Sequence, residues 1–434
     1  MKTINRNEKG MKTINRACLV VGACTLLIGA GRTQDLDERV KKLEQHREQV
    51  DKRIGSVVDE LQRLELGDVV RPLGEGRNGL GPAASKVYGV QEGLSIGGYG
   101  EFLFRSPTYQ TDVMDALRAV IYFGFKFNDE WLVNTEIEVE HATTSTSSGT
   151  TSSGGSVSLE FGSVEWTRGP ELNARAGLLL VPMGLINELH EPTTFLPALR
   201  PETEQRIIPT TWREVGVGVF GEVEGFSYRA YLVNGLDGEN FSAAGLRGGR
   251  QKGNRAAADD LAGVARVDWV GTPGLTVGGS VYYGRSGQDG MSGPTAIPGL
   301  DTLIVEGHAT YQAGPLHVRG LVAMAKVDGA GQFNTATGAG LAERMHGHYI
   351  EVGFDVLAQF APQCNQSLTP YFRYEHIDTQ AKMPAGFVKD SRRDQKLYTL
   401  GGNWKPIEQV VVKVECLVRD PGEEQVNVLL GYVF

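Results

Sequence analysis

From Leu94 to Phe434 apolar and polar residues alternate in stretches that turn residues interrupt. This period-2 pattern predicts sixteen strands, at 94–104, 117–127, 131–142, 156–167, 172–182, 214–223, 226–235, 262–270, 274–285, 302–313, 315–328, 346–358, 367–379, 395–405, 409–419 and 424–434. Most run about 9–12 residues, the length that crosses a bilayer when tilted. In the second strand Ala119, Ile121, Phe123, Phe125 and Phe127 share one face, and Arg118, Tyr122 and Lys126 the other. In the third, Val133, Ile137 and Val139 oppose Asn134, Glu136, Glu138 and Glu140; in the fifteenth, Val410, Val412, Val414, Cys416 and Val418 oppose Lys413, Glu415 and Arg419. A soluble β-sandwich alternates too, but it needs neither so many spanning-length strands nor so charged a face. A water-filled barrel supplies the solvent that those charges require. The expected fold is therefore an all-β membrane protein, a 16-stranded antiparallel transmembrane β-barrel over 94–434, preceded by a coiled-coil helix. Short connections such as Glu224-Gly225 alternate with long ones such as 236–261 and 329–345, the pattern of outer-membrane barrels. The even strand count puts both ends of the barrel in the periplasm.

Ahead of the strands the periodicity changes twice. Lys12 and Arg16 precede the apolar run Ala17–Ala30 and the small residues Gly29, Ala30 and Gly31, so residues 1–31 read as a signal peptide. MKTINR occurs at Met1 and again at Met11, and either Met fits as the start. Val21-Gly22-Ala23-Cys24 resembles a lipoprotein cleavage box, but the apolar run continues past the cysteine. From Leu36 to Leu64 the period is seven: Leu36, Leu43, Val50, Val57 and Leu64 form one row, and Val40, Ile54 and Leu61 the other, interrupted by Arg47. That spacing predicts a periplasmic coiled coil over 32–67 and hence self-association. Residues 68–93, rich in Gly and Pro, read as a flexible linker.

One connection stands apart. Between the fifth and sixth strands, residues 183–213 contain Pro192, Pro197, Pro201 and Pro209 beside apolar Ile186, Leu189, Phe195, Leu196, Leu199, Ile207, Ile208 and Trp212. Such spacing of prolines forbids a long helix and interrupts strand pairing. A long loop with its own apolar anchors packs against something, and inside a barrel it narrows the pore. The stretch LLLVPMGLINELHEPTTF followed by RPETEQRIIPTTWREVGVGVFG resembles the phosphate-selective porin O and P family of outer-membrane proteins. That resemblance covers roughly 93–434 and implies a trimeric 16-stranded diffusion channel. This chain departs from the expected pattern in one respect: 183–213 contains no lysine, so the barrel transfers from the resemblance and the substrate does not. The aromatic C-terminal Phe434 resembles the signal read by the barrel-assembly machinery.

Charge then locates candidate chemistry. Removing 1–31 takes five of the 43 Lys and Arg and one of the 52 Asp and Glu, leaving a net charge of −13. That balance excludes a nucleic-acid partner. A pore selects by size and by charge at its narrowest point, where the loop offers Glu188, His190, Glu191, Arg200, Glu202, Glu204, Arg206 and Arg213. Lumen-facing strand positions add Arg118, Lys126, Arg175, Arg229, Arg319 and Lys413, with Glu136 and Glu138 among the acids. Further inward assignments are Arg266 and Arg373 against Glu140, Asp268, Glu306, Glu351, Asp355 and Glu375. Arginines are the expected ligands of a solute carboxylate or phosphate, because the guanidinium fork binds either bidentately. Trp131, Trp166, Trp269, Trp404 and Tyr432 read as an interfacial girdle. No Cys/His cluster suggests a metal or other cofactor, and no local Ser/His/carboxylate motif suggests an enzyme. Cys364 and Cys416 lie on non-adjacent segments, where a disulfide is not expected. The function expected is passive diffusion of small hydrophilic or anionic solutes through an outer-membrane homotrimer. The alternative is an envelope tether or adhesin with a plugged barrel.

Overall fold

The computed structural model describes residues 75–143, 154–292 and 295–434, with Arg47, Val50 and Lys52. The signal peptide and, those three positions apart, the coiled coil lie outside the described residues. Strands β1 (Gly93–Pro107), β2 (Val113–Lys126), β3 (Trp131–Glu140), β4 (Val157–Thr167), β5 (Asn173–Leu180), β6 (Arg213–Val223), β7 (Phe226–Asn234), β8 (Leu261–Thr272) and β9 (Leu275–Arg285) form the first part of the wall. A small hairpin of β10 (Met291–Ser292) and β11 (Thr295–Ala296), which strand periodicity did not reveal, lies in the next loop. The wall continues with β12 (Asp301–Ala313), β13 (Leu316–Val327), β14 (Arg344–Phe354), β15 (Ser367–Lys382), β16 (Asp394–Ile407), β17 (Val410–Asp420) and β18 (Glu424–Val433). Sixteen strands pair with their neighbours into a closed antiparallel barrel, sealed where β1 meets β18.

Closure leaves no edge in lipid, where an unpaired backbone group is costly. The faces fall as the alternation requires: Ile121, Phe123 and Phe125 are exposed on the outside of β2, while Tyr122 is buried within. Tight turns close one rim of the barrel. Between β6 and β7, Glu224 and Gly225 both have positive φ, 50° and 85°, which matches the right-handed twist of a hairpin. The twelfth expected segment, which was to reach residue 358, is β14 and stops at Phe354 because Asp355 caps a short helix, Val356–Phe360, accepting from the Leu357 and Ala358 N–H groups. Asp355 therefore sits in a turn between β14 and β15, not on the lumen wall.

The hydrophobic core lies inside the barrel. Ile207 and Ile208 of the inward loop pack with Leu236, Phe241 and Leu246 of the loop at 235–260. Leu300, Phe333 and Leu341 of the next two outer loops complete the same cluster. The outer loops thus fold their apolar residues into the mouth above β7–β15, where lumen-side positions such as Val264, Tyr282, Ala323 and Ile377 are apolar to receive them.

Candidate pore constriction

The connection between β5 and β6 occupies 181–212, and Arg213 opens β6. Asn187 joins the loop's two ends: its Nδ2 donates to the Val181 and Trp212 carbonyls at 2.7 and 2.8 Å, and its Oδ1 accepts from Trp212 N–H at 2.6 Å. Glu204 accepts from the Leu185 and Ile186 N–H groups at 2.9 and 2.8 Å and from the Tyr349 hydroxyl at 2.6 Å. Burial nevertheless raises the pKa of Glu204. The wall grips the loop's backbone through charged side chains. Lys413 Nζ donates to the Phe195 and Pro197 carbonyls at 2.8 and 2.9 Å, Arg319 to Thr194 at 3.1 Å, and Arg373 to Leu199 at 3.2 Å. Prolines leave carbonyls without ladder partners, and these cations satisfy them.

The predicted acids of the loop turn out to be fasteners. Glu188 meets Arg229 at 3.2 Å and Arg266 at 3.4 Å. His190 lies between the Asn187 carbonyl and Glu136, at 2.9 and 3.2 Å; burial opposes its protonation, but the Glu136 carboxylate raises its pKa. Glu202 pairs with Arg206 at 2.6 Å and Arg419 at 3.0 Å, which hold its pKa down against burial. Glu191 is buried and accepts from the Ala83 and Ala84 N–H groups. None of these acids is left open to dominate a local field. Arg213 is likewise committed, to Glu160 at 2.6 Å.

The residues bound by Glu191 belong to the stretch expected to be a flexible linker. From Glu75 onward that reading fails: residues 75–92 lie in the lumen, with a 3-10 helix at Ala84–Gly89. Leu80, Ala83 and Ala84 pack on Tyr99, Tyr122 and Phe161. Arg175 Nη2 donates to the Asn78 carbonyl at 3.0 Å, Lys126 Nζ to Val90 at 3.2 Å, and Asn134 Nδ2 to Ala84 at 2.8 Å. Small residues let the segment press on the wall; a Cβ added at Gly97 would sit 2.7 Å from the Ala83 carbonyl. Below the two internal segments opens a cavity of about 920 Å³, lined by Asn78, Tyr88, Lys126, Arg229 and Asp268 among others.

Arg118 bridges Glu101 and Glu138 at 2.8 and 3.0 Å, and Lys126, Glu136, Arg175, Arg229, Arg319 and Lys413 reach the internal segments as described. What sequence reasoning missed is a second set of cations, on the outer loop at 235–260. Arg250 donates to the Thr211 carbonyl of the inward loop, and Arg200 Nη1 donates to the Thr211 hydroxyl at 2.7 Å. Arg247 stands beside both. Burial, then repulsion from Arg250 and Arg200, lowers its pKa to about 9, while Glu140 of the facing wall works the other way. Burial and Arg213 lower Arg250 to about 10. Both remain cations at neutral pH. Nη2 of Arg200 and Nη1 of Arg247 are buried and donate to no acceptor among the described residues. The run LRGGRQKGNR at 246–255 was the signal available in the sequence.

No protein-family model matches the chain. It is 34% identical over 365 residues to an uncharacterized protein of Aquifex aeolicus (strain VF5), covering 80% of this chain and 81% of that one. The chain belongs to that protein's family. Among solved structures it is similar to a loop L8 deletion mutant of OmpT, an outer membrane protein of Vibrio cholerae, with a TM-score of 0.52 and 11% identity over 79% of this chain and 100% of that one. It is also similar to Salmonella typhi OmpF in complex with daunomycin (TM-score 0.51, 14% identity, 79% and 98% covered). The outer membrane channel DcaP of Acinetobacter baumannii matches as well (0.51, 12%, 79% and 97%). At such identities the likeness shows the fold: a closed 16-stranded barrel of the outer-membrane porin type.

Proposed function

We propose that this family member is an outer-membrane porin whose water path carries small hydrophilic solutes and favours anions bearing a carboxylate or a phosphate. The observation that carries the reading is the meeting of Arg200, Arg247 and Arg250, two of whose guanidinium donors find no acceptor among the described residues. An anion passing there would supply acceptors in the geometry a guanidinium fork prefers. A homotrimer, with the coil at 32–67 in the periplasm, completes the proposal; one form of Vibrio cholerae OmpT, at a TM-score of 0.51, is a trimer.

Reversal potentials in planar bilayers under a KCl gradient test it. Replacing Arg200, Arg247 and Arg250 together by Gln should move selectivity toward cations. Arg213 is left alone because Glu160 already neutralises it. An unchanged reversal potential would remove these arginines from the water path. The two segments filling the lumen also favour the second reading, a plugged barrel that serves as a tether or adhesin. Wild-type protein that inserts but gives no conductance steps would decide for that reading.

A further inference from the structure

The outside of the barrel is uneven at its extracellular rim. On β6–β9 the outward rim positions are Val215, Leu232, Leu261 and Tyr283, all exposed. Across β14–β16 the same height carries titratable and cationic groups. His348 faces His376 in register, and His376 faces Lys396. The His376 ring lies 5.6 Å from that of His346 and 5.5 Å from that of His348, centre to centre. Arg344 begins the same strand, exposed. One pair of residues nearer the bilayer centre, Tyr374 and Tyr398 contact each other at 5.4 Å. Ile350, exposed, stands opposite Tyr374 in register, and below them come the exposed apolar Phe372 and Leu400. Moving up the wall, the order is hydrocarbon, tyrosine, then cation.

Local acids do not neutralise the whole row. Asp394 binds His376 at 2.8 Å and Lys389 at 3.0 Å, Asp378 binds Lys389 at 2.6 Å, and Glu343 binds Lys382 at 2.6 Å. Among the described residues Arg344 and Lys396 form no ion pair. Lys396 lines a cavity of about 450 Å³ with Lys389, Ser391, Asp394, Asp420 and Pro421. Asp420 stands opposite Lys396 in register without pairing to it. The histidines do not form a metal-ligating group.

We propose that this sector, Arg344, His348, His376 and Lys396 beside the rim cavity, binds the phosphate of an outer-leaflet lipid headgroup. Acyl chains cover Ile350, Phe372 and Leu400, the tyrosines sit at the headgroup boundary, and the phosphate reaches the cations just above them. Arg and Lys at that depth gain a charge-assisted partner that the protein does not provide. The inference uses the membrane orientation of the porin reading but none of its pore residues.

Native mass spectrometry of the full-length protein in detergent tests the site, with bisphosphorylated lipid A and the same lipid stripped of both phosphates as probes. The wild type should retain the phosphorylated lipid about tenfold better. Changing Arg344, His348 and Lys396 together to Gln should abolish that preference and leave single-channel conductance unchanged. Equal retention of the two lipids, or a triple variant that retains lipid as the wild type does, overturns the proposal without touching the porin reading. Complete displacement by millimolar inorganic phosphate would also overturn it, since the site would then serve free anions. Should the triple variant fail to fold, Lys396→Gln alone, expected to lower retention severalfold, takes its place.

Discussion

The inward loop at 181–212 and the N-terminal segment at 75–92 share one lumen, but the wall holds them by different chemistry. Lys413, Arg319 and Arg373 donate to the loop's carbonyls, while Glu415 and Glu375 accept from its Ala198 and Thr203 N–H groups. The loop therefore has charged contacts from wall strands on several sides. The N-terminal segment is tied by wall cations at Asn78, Tyr88 and Val90, and Asn134 of the wall donates to its Ala84 carbonyl. Its middle rests on wall glycines and on Glu191, a residue of the loop itself. Docking is thus ordered: the wall positions the loop, and the loop helps to position the segment.

Breaking the first attachment should have the largest effect. Lys413 is fully buried, hydrogen-bonds two loop carbonyls and lies 3.7 Å from the centre of the Phe195 ring. Lys413→Met keeps the bulk but removes the Lys donor from both carbonyls, leaving Phe195 only the 3.5 Å contact from Asn403, a loss of about 3 kcal/mol. The apparent unfolding midpoint, followed by circular dichroism, should fall by several degrees. An unchanged midpoint would show that the loop is held without Lys413 and that the proposed order is wrong.

The same contrast explains what could be read in advance. All sixteen strands were legible, because lipid outside and water or charge inside impose alternation on each one, as at Phe123 against Tyr122 and Val412 against Lys413. The inward loop was legible from its prolines and apolar anchors. The N-terminal segment was not, since Gly and Pro without periodicity look like a linker whether free or packed. Its traces were on the wall: Gly97 and Gly124, where a Cβ would press on Ala83 and Val87. The loop acids misled because composition counts a carboxylate as a charge facing the pore. Glu191 and Glu204 are instead used up by backbone N–H groups of nearby turns. The arginine cluster was missed because its parts lie on two loops, and the outer one read as surface.

Gly97→Val attacks the segment alone. The added side chain meets the Ala83 carbonyl, and overpacking of this kind costs about 1–3 kcal/mol. A difference of one or two kcal/mol changes a population about 5–30-fold. Much of the strain can be relieved by undocking residues 80–90, so conductance should rise while the unfolding midpoint scarcely moves. A midpoint drop as large as that of Lys413→Met, with unchanged conductance, would mean that the segment is as integral to the barrel as the loop.

The smallest effect expected is a pH dependence at the contact between the two segments. Burial pushes the Glu191 carboxyl up to about 7, with the Ala83 and Ala84 N–H groups and His190 working against it; Glu136 adds to the rise, and Lys86 also faces it. An undocked, hydrated glutamate would titrate near 4.3. A pKa raised on docking means that the docked state favours the protonated form. Docking is therefore strongest below the undocked pKa and weakens as pH rises through about 7. The neutral acid still offers its carbonyl oxygen to the Ala83 N–H, whereas the carboxylate must be desolvated. Conductance should accordingly increase modestly from pH 6 to pH 8. Glu191→Gln retains the carbonyl and cannot ionise, so its conductance should stay flat across this range, at or below the wild-type pH 6 value. A wild type whose conductance is flat over this range, or a Gln variant that follows the wild type, would show that Glu191 does not govern the attachment of the segment to the loop.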